Sequence, residues 1–193
     1  MNNFETISPE KTIIRKAEMP DIPQILKLVQ ENLGENLTEE EKEGGFITWN
    51  PSESELAEII DSSGIFLSMI GKKLKGYVIT MTRDIGLRNP FFSEMLSYAE
   101  DMQFDGKYLS EYKYIIFAQV CIGKEFRGGM TFSRLYSTSQ SMSKDQGFDV
   151  FIGEIADKNK KSLAVHSNYA DAGTYKSSNG MVWHVIVGDL RND

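Results

Sequence analysis

Apolar residues recur along the chain with two different spacings, and each spacing predicts one kind of element. Continuous or alternating apolar runs are typical of strands, whereas a spacing of three and four residues is typical of helices that bury one face. Strands are predicted at residues 12–17, 65–70, 74–81, 114–122, 148–155, 173–176 and 181–187. Helices are predicted at residues 22–33, 51–61, 91–102, 130–145 and 159–169, with a short further helix after Thr38.

The order of these elements predicts an α/β (α+β) fold with one mixed sheet covered by helices. The strand-helix-strand unit over residues 114–155 should be parallel and right-handed. A chain of 193 residues is long enough for one well-filled core, so we predict one domain over residues 1–193. The excursion at about 84–113 is interpreted as an insertion on the substrate side, although a structural embellishment or a dimer surface is equally consistent with it.

A strand, a glycine turn and a helix form the most informative stretch. The run from Tyr114 to Ile122 is apolar, Gly128-Gly129 interrupts the pattern, and helical spacing resumes from Met130. Backbone N–H groups at such a helix start bind phosphate without any particular side chain. Arg127, just before the turn, would add a positive charge. By spacing alone this connection is common, and most such turns bind nothing.

Composition narrows the classes of partner. A net charge of −7 without a basic stripe argues against nucleic acid. An acidic surface is compatible with a cationic substrate such as an amine, but the favoured interpretation is a solvated surface that keeps the protein in solution. The N-terminus lacks the pattern of a signal peptide, and no apolar run approaches the ~20 residues of a membrane span. We therefore predict a cytoplasmic protein without membrane contact.

The cysteine and histidine count excludes two further kinds of site. Cys121 is the single cysteine, and His166 and His184 are the two histidines. Within the chain no disulfide framework can form, and a structural zinc site lacks ligands, so no metal is predicted. Cys121 lies in an apolar strand without a positive neighbour, which favours a packing role over a nucleophile.

Three stretches resemble the GCN5-related N-acetyltransferases (GNAT). The run from Glu125 to Gly129, after a strand and before a helix, is similar to the acyl-CoA motif Arg/Gln-x-x-Gly-x-Gly/Ala. The run 154–159, followed by a helix over 162–166, is similar to the late pattern of the family. The ending 180–187 resembles its closing strand, and the element order matches over nearly the whole chain.

This resemblance implies a mostly antiparallel sheet in which two parallel strands, 114–122 and 148–155, splay apart. Acetyl-CoA, as co-substrate, would place its pantetheine arm in the gap beside Cys121 and Ile122. Its pyrophosphate would lie on the turn, and Asn159 would be near the ligand or cap the last helix. The implied cofactor-binding residues on the turn are Arg127, Gly128, Gly129, Met130, Thr131 and Phe132.

The implied reaction is transfer of an acetyl group to a primary amine by direct attack in a ternary complex. The acceptor would be a small-molecule or peptide amine, and a homodimer is plausible by family habit. His166 aligns with the family tyrosine and is the candidate acid for the leaving thiolate. Tyr114 and Glu154 are candidate bases, Glu154 acting through water. Structural roles remain open for each: a core histidine, a hydrogen-bonding tyrosine, and a salt-bridged glutamate.

Departures from the family pattern keep other functions open. Met130 replaces the second glycine of the motif, His166 replaces the tyrosine, and Ala170-Asp171 replaces a Gly-Phe pair. The alternative is a non-catalytic member of the fold that binds acyl-CoA or a protein partner. A purely structural or interaction domain is a third hypothesis, and it predicts no CoA binding.

Overall fold

A seven-stranded mixed sheet forms the centre of the molecule in the computed structural model, which describes residues 11–191. The strands follow the spatial order β1-β2-β3-β6-β7-β9-β8. Their bounds are β1 Thr12–Lys16, β2 Ile65–Ile70, β3 Lys73–Met81, β6 Tyr114–Ile122, β7 Val150–Ala156, β8 Ala170–Lys176 and β9 Val182–Asp189. Two short strands, β4 Gln103–Phe104 and β5 Lys107–Tyr108, pair separately.

Helices cover both faces of this sheet. They are α1 Ile22–Asn32, α2 Glu39–Lys42, α3 Glu53–Ser62, α4 Arg83–Arg88, α5 Pro90–Ala99, α6 Thr131–Asp145 and α7 Lys160–Val165. The apolar side chains of α1, α3 and α5 pack on one face, and those of α6 pack on the other. Of the described helices, none is long and apolar enough to cross a membrane.

The parallel pair β6–β7 separates along its length, as the resemblance implied. Pairing runs from Tyr114 opposite Val150 to Ile116 opposite Ile152 and then stops. Beyond this point β6 stays paired with β3, and β7 stays paired with β9. Ala118 lies at a register shift of β6 against β3, and a bulge of this kind bends a strand and increases its twist. The result is a gap in the middle of the sheet.

Several predicted elements have different bounds in the structure. The last helix ends at Val165 rather than near residue 169, because the chain from Ala170 pairs with β9 as the edge strand β8. The strand predicted at 148–155 is β7, Val150–Ala156, which begins two residues later and ends one residue later than predicted. Pairing partners, which spacing alone does not contain, set both boundaries.

The excursion contains more structure than spacing predicted. Instead of one helix over 91–102 it forms α4, α5 and the β4–β5 hairpin. Pro90 begins α5, where its missing N–H costs nothing, and Asn89 caps the helix by accepting from the N–H of Phe91. Phe92, Met95 and Leu96 of α5 are buried against the sheet. The excursion therefore forms part of the core on the face that also carries α1 and α3.

Candidate functional site

The gap between β6 and β7 opens into a groove of about 150 Å³, here called the turn groove. One wall is the end of β6 and the turn that follows, and the opposite wall is the start of α7. Residues 44–47 close a third side. The groove brings together these predicted residues: Cys121, Ile122, Arg127, Gly128, Gly129, Phe132, Asn159 and His166.

The glycine turn presents open backbone donors. Gly128 has φ +77°, a conformation that favours glycine, and a Cβ on Gly128 or Gly129 would meet nothing within 4 Å. Met130 is the N-cap residue of α6 but makes no side-chain cap, and its side chain is exposed. Within residues 11–191 the N–H groups from Gly129 to Phe132 have no hydrogen-bond acceptor. Free donors at the start of a 15-residue helix can bind an anion.

Arg127 lines the turn groove, and its guanidinium is bound by three acceptors of the protein itself. Its Nε donates to the Ile122 carbonyl at 3.0 Å. Its two terminal nitrogens donate to the Gly44 carbonyl at 2.9 Å and to Asn32 Oδ1 at 2.6 Å. These bonds fix the guanidinium between the turn, α1 and the 44–47 segment. Arg127 therefore shapes the turn groove, and the free donors at the turn are those of the backbone.

Asn159 holds the same segment from the opposite side. Its Oδ1 accepts from the N–H of Ser162 at 3.2 Å, which caps α7, and its Nδ2 donates to the Phe46 carbonyl at 2.7 Å. Both polar groups of the buried side chain thus have protein partners. Arg127 thus connects segment 44–47 to the end of β6, and Asn159 connects it to the start of α7.

Cys121 is a thiol rather than a nucleophilic thiolate. It is buried, and burial raises the pKa of its side chain to about 12. Cys121 lines the turn groove, but at this point of β6 the backbone, rather than the thiol, is the group that can bind a ligand. The β6 groups that face the gap beyond Ile116 have no partner on β7.

A smaller cavity of about 70 Å³, the inner recess, lies deeper in the gap. One part of its wall is apolar and is formed by Val78, Phe117, Val120, Tyr136, Ile155 and Ile186. The remaining wall contains Gln119, Glu154, His166 and Trp183. Gln119 is fixed there, because it accepts from the Tyr77 hydroxyl and donates to the Trp49 carbonyl, each at 2.7 Å. The recess combines a small apolar space with two titratable side chains.

His166 lies in a cluster of aromatic rings and lines both cavities. Its ring contacts Phe132 and Tyr136 edge-on at centroid distances of 5.2 Å. Nδ1 lies 2.8 Å from the Ser162 carbonyl, which assigns the proton to Nδ1 and leaves a lone pair on Nε2. Burial lowers the pKa of the ring. The resting imidazole is therefore neutral and accepts a proton at Nε2 before it can donate one.

Glu154 is a buried carboxyl whose protonation is set by its neighbours. Its pKa is raised to about 8, chiefly because burial disfavours the carboxylate, and further by the negative charge of Glu94. The Tyr175 hydroxyl donates to Glu154 Oε2 and opposes this shift. Tyr175 stacks on Tyr98 of α5 at 4.6 Å, so the excursion holds the partner of this carboxyl in place. A pKa near working pH suits a general base.

Unfolding free energy should fall as pH rises because of this carboxyl. The pKa of Glu154 is about 8 in the folded chain and ordinary, ~4.3, in the unfolded chain, so the folded state binds the extra proton between these values. Glu154→Gln should remove a slope of up to about 1.4 kcal/mol per pH unit in this window. Urea unfolding of both proteins at pH 5, 6, 7 and 8 measures the difference. Equal slopes would show that Glu154 ionises normally.

His166 and His184 also make stability depend on pH in the range of this comparison, and both are present in the wild type and in Glu154→Gln. Because the pKa of His166 is lower in the folded than in the unfolded chain, this residue makes stability rise as pH increases through the pKa of the unfolded form. The pKa of His184 is raised, chiefly because its ring donates hydrogen bonds to the carboxylates of Asp171 and Asp157, and this gives the opposite slope. Since both are present with and without Glu154, the wild-type-minus-variant difference isolates the carboxyl.

Tyr114 lies far from the gap. It begins β6, seven residues before Cys121, which corresponds to ~23 Å along a strand. Its hydroxyl donates to Glu100, which also binds Arg83 at 2.6 Å, and burial raises the pKa of the phenol. The structure therefore does not bring Tyr114 to the site with Glu154 and His166. Met130 and Thr131 do not line the turn groove but a separate small cavity beside β1.

The sequence contained little signal for several residues of the site. Tyr175, Gln119 and Phe46 come from strands and loops distant along the chain, and only the pairing of strands brings them together. A polar residue within the apolar run 114–122 did mark Gln119. No comparable local pattern marks the other two.

Solved structures with the same fold are numerous, although no family model and no curated protein matches the sequence. An N-acetyltransferase from Staphylococcus aureus Mu50 is 16% identical with a TM-score of 0.61, over 94% of this chain and 99% of that one. A GNAT-family acetyltransferase from Listeria monocytogenes 4b F2365 is 14% identical with a TM-score of 0.62, over 95% and 98%.

A third structure includes a ligand. It is YncA of Salmonella typhimurium, described as an acetyltransferase and solved with its cofactor acetyl-CoA, at 12% identity and a TM-score of 0.61, over 94% of this chain and 95% of that one. These alignments cover almost all of both chains, and at such low identity they establish the fold. The chain thus has the fold of the GCN5-related N-acetyltransferases, an α/β sheet split at a parallel pair of strands.

Proposed function

We propose that the protein is an acyl-CoA-dependent N-acetyltransferase that transfers acetyl from acetyl-CoA to a primary amine. The observation that carries this proposal is the continuity of the gap with the uncapped turn. Backbone groups of β6 without a strand partner lead directly to free N–H groups at the start of α6. An extended, amide-containing arm that ends in a pyrophosphate matches both features.

The chain's own residues fit this co-substrate. The free N–H groups suit a pyrophosphate, and the open space at Gly128 and Gly129 admits it close to the backbone. The unpaired edge of β6 suits the amides of pantetheine, and acetyl-CoA would supply a reactive thioester. An unpaired β6 N–H near Val120 would donate to the carbonyl oxygen as negative charge develops there.

Glu154 and His166 divide the proton transfers between them. The amine arrives as an ammonium with a pKa near ~10, and Glu154 removes one proton so that the nitrogen can attack the thioester carbon. The C–N bond forms and the C–S bond breaks. Nε2 of His166 takes the second proton from nitrogen and gives it to the departing sulfur. Because burial disfavours the imidazolium, the protonated ring is a good acid for this step.

The size of the inner recess predicts a preference for short acyl groups. At about 70 Å³ it is half the ~150 Å³ of an engineered cavity that accommodates benzene, so it suits the few heavy atoms of an acetyl group. We expect kcat/KM for hexanoyl-CoA to be at least about 100-fold below that for acetyl-CoA. Initial rates with acetyl-, propionyl-, butyryl- and hexanoyl-CoA measure this preference.

Ile186→Val provides the matched control, since it enlarges the apolar wall at a cost of only about 0.5–1.5 kcal/mol in stability. It should increase the relative rate with butyryl-CoA. Equal rates across the wild-type series would contradict the placement of the acyl group in the recess.

The function itself is tested by amine-dependent release of the CoA thiol, with mass spectrometry of the acetylated product. A panel of amino acids, peptides and polyamines should contain at least one acceptor. If the folded wild type binds acetyl-CoA but modifies none of these amines, and His166→Phe behaves in the same way, the protein would instead be a non-catalytic member of the fold.

A further inference from the structure

A third cavity, here called the wide groove, meets the inner recess from the other side of segment 44–47. Its volume is about 790 Å³, and it shares Phe46, Ile47, Thr48 and Trp183 with the recess. The wide groove therefore adjoins the recess that Glu154 lines. If the proposed function holds, an acceptor that enters here meets the base, while the turn groove remains available to the acyl donor.

The groove is larger than a simple amine requires. Its volume falls within the ~300–1,000 Å³ of sites that enclose ligands of drug size. Its apolar lining includes Phe91, Met181 and Trp183. A short diamine with its nitrogen at Glu154 would leave most of this surface uncovered. The acceptor should therefore have a body beyond the reacting amine.

Charge in the groove differs from charge on the chain as a whole. Four lysines and three glutamates line the groove, whereas the chain carries a net charge of −7. Three of the lysines, Lys158, Lys160 and Lys161, lie together at the start of α7. The glutamates lie on the segment from Glu35 to Glu43, and the pKa of Glu39 is lowered, chiefly by its hydrogen bond from Lys42 and to a smaller extent by the charge of Lys158. An electropositive wall in an acidic protein favours a ligand that carries negative charge.

Two of these lysines remain available to a ligand. Lys160 is bound to Asp157 at 3.0 Å, whereas Lys158 and Lys161 form no ion pair with any residue in the described part of the chain. Lys161 also lines the turn groove, but Lys158 lines only the wide groove. Lys158 is thus the residue that can be changed without touching the donor side.

The distance from Lys158 to the base limits the shape of the acceptor. Lys158 follows Glu154 by four residues, so their Cα atoms are at most ~14 Å apart. An anion bound by Lys158 would therefore lie within reach of a short acceptor whose amine is placed at Glu154. A short acidic peptide or an acidic amino acid has this arrangement, and a polyamine does not.

We propose that the acceptor is a primary amine that also carries an anionic group, and that Lys158 and Lys161 bind that group in the wide groove. This inference rests on the proposed function. The shared chemistry is the amine with a nearby carboxylate or phosphate, and it is available from free amino acids and from acidic peptide N-termini.

The test compares acceptors that differ in charge. Wild type is assayed with acetyl-CoA and the amidated tripeptides Ala-Glu-Glu and Ala-Lys-Lys, free glutamate, O-phosphoethanolamine and spermidine. We expect kcat/KM for Ala-Glu-Glu to exceed that for Ala-Lys-Lys about tenfold, and Lys158→Glu to abolish this preference. Lys27→Glu, on an exposed face of α1 outside the groove, makes the same change in net charge and should leave it intact. The ratio between glutamate and Ala-Glu-Glu identifies the source of the anion.

A binding measurement keeps the inference separate from catalysis. Calorimetry of the same tripeptides with the CoA-loaded protein should show tighter binding of Ala-Glu-Glu, lost in Lys158→Glu. That result without any acetyl transfer would support the acceptor site while overturning the proposed function. Equal or tighter binding and turnover of Ala-Lys-Lys or spermidine, unaffected by Lys158→Glu, would overturn the inference even if acetyl transfer occurs.

Discussion

Glu154→Gln is expected to lower kcat/KM with an amine acceptor by about 10²–10⁴-fold, the usual contribution of a positioned general base. Glutamine preserves the shape of the side chain but cannot take the proton of the ammonium. Affinity for acetyl-CoA should change little, because Glu154 lines the inner recess and not the turn groove. Steady-state kinetics with calorimetry of acetyl-CoA binding measures both quantities.

The pH profile distinguishes a base from a merely structural carboxyl. In wild type, kcat/KM should rise as the carboxyl ionises, with a limb near its pKa of about 8. Tyr175→Phe removes the hydroxyl that stabilises the carboxylate, so it should raise the pKa and move this limb to higher pH. Tyr98→Phe keeps the ring that stacks on Tyr175 and serves as the control. An activity of Glu154→Gln within about threefold of wild type would exclude this carboxyl as the base.

The two groups proposed to transfer protons, Glu154 and His166, both line one small recess. Glu154 is on β7 and is held by β8 and, through Tyr98, by α5. His166 follows α7 and is held by aromatic rings of α6. In the proposed reaction Glu154 would act on the acceptor amine, and His166, which also lines the turn groove, would act on the departing thiol. The excursion contributes to the first of these groups, which gives it a role in the site as well as in the core.

Most of the fold could be predicted because its strands carry their own signal. The apolar run of β6, the glycine turn and the amphipathic α6 are local patterns, and their order alone indicates a parallel crossover. The boundaries that were wrong depend on partners distant in sequence. The last helix stops early because β8 must reach β9, and α4 forms within a segment that lacks a clear helical stripe.

Features of the site could likewise be predicted only where residues adjacent in the sequence determine them. The turn between β6 and α6 follows from backbone geometry at two glycines and was predicted, and its binding of an anion stays a prediction. Arg127 was assigned to the phosphate by its neighbourhood in sequence, whereas its donors meet Gly44 and Asn32, which only folding brings near. The tautomer of His166 and the partner of Glu154 likewise depend on a carbonyl and a hydroxyl that the sequence does not place.

Binding of acetyl-CoA on the glycine turn is the central claim, and calorimetric titration tests it most directly. Gly129 lies outside the left-handed region and has open space at its Cβ, so a side chain can be added there without strain. Gly129→Asp places a negative charge at the free N–H groups, and Gly129→Asn adds the same bulk without charge. We expect wild type to bind acetyl-CoA, Gly129→Asn to bind within about fivefold, and Gly129→Asp to lose at least about 100-fold in affinity. A folded wild type without binding, or equal binding by both variants, would contradict the account.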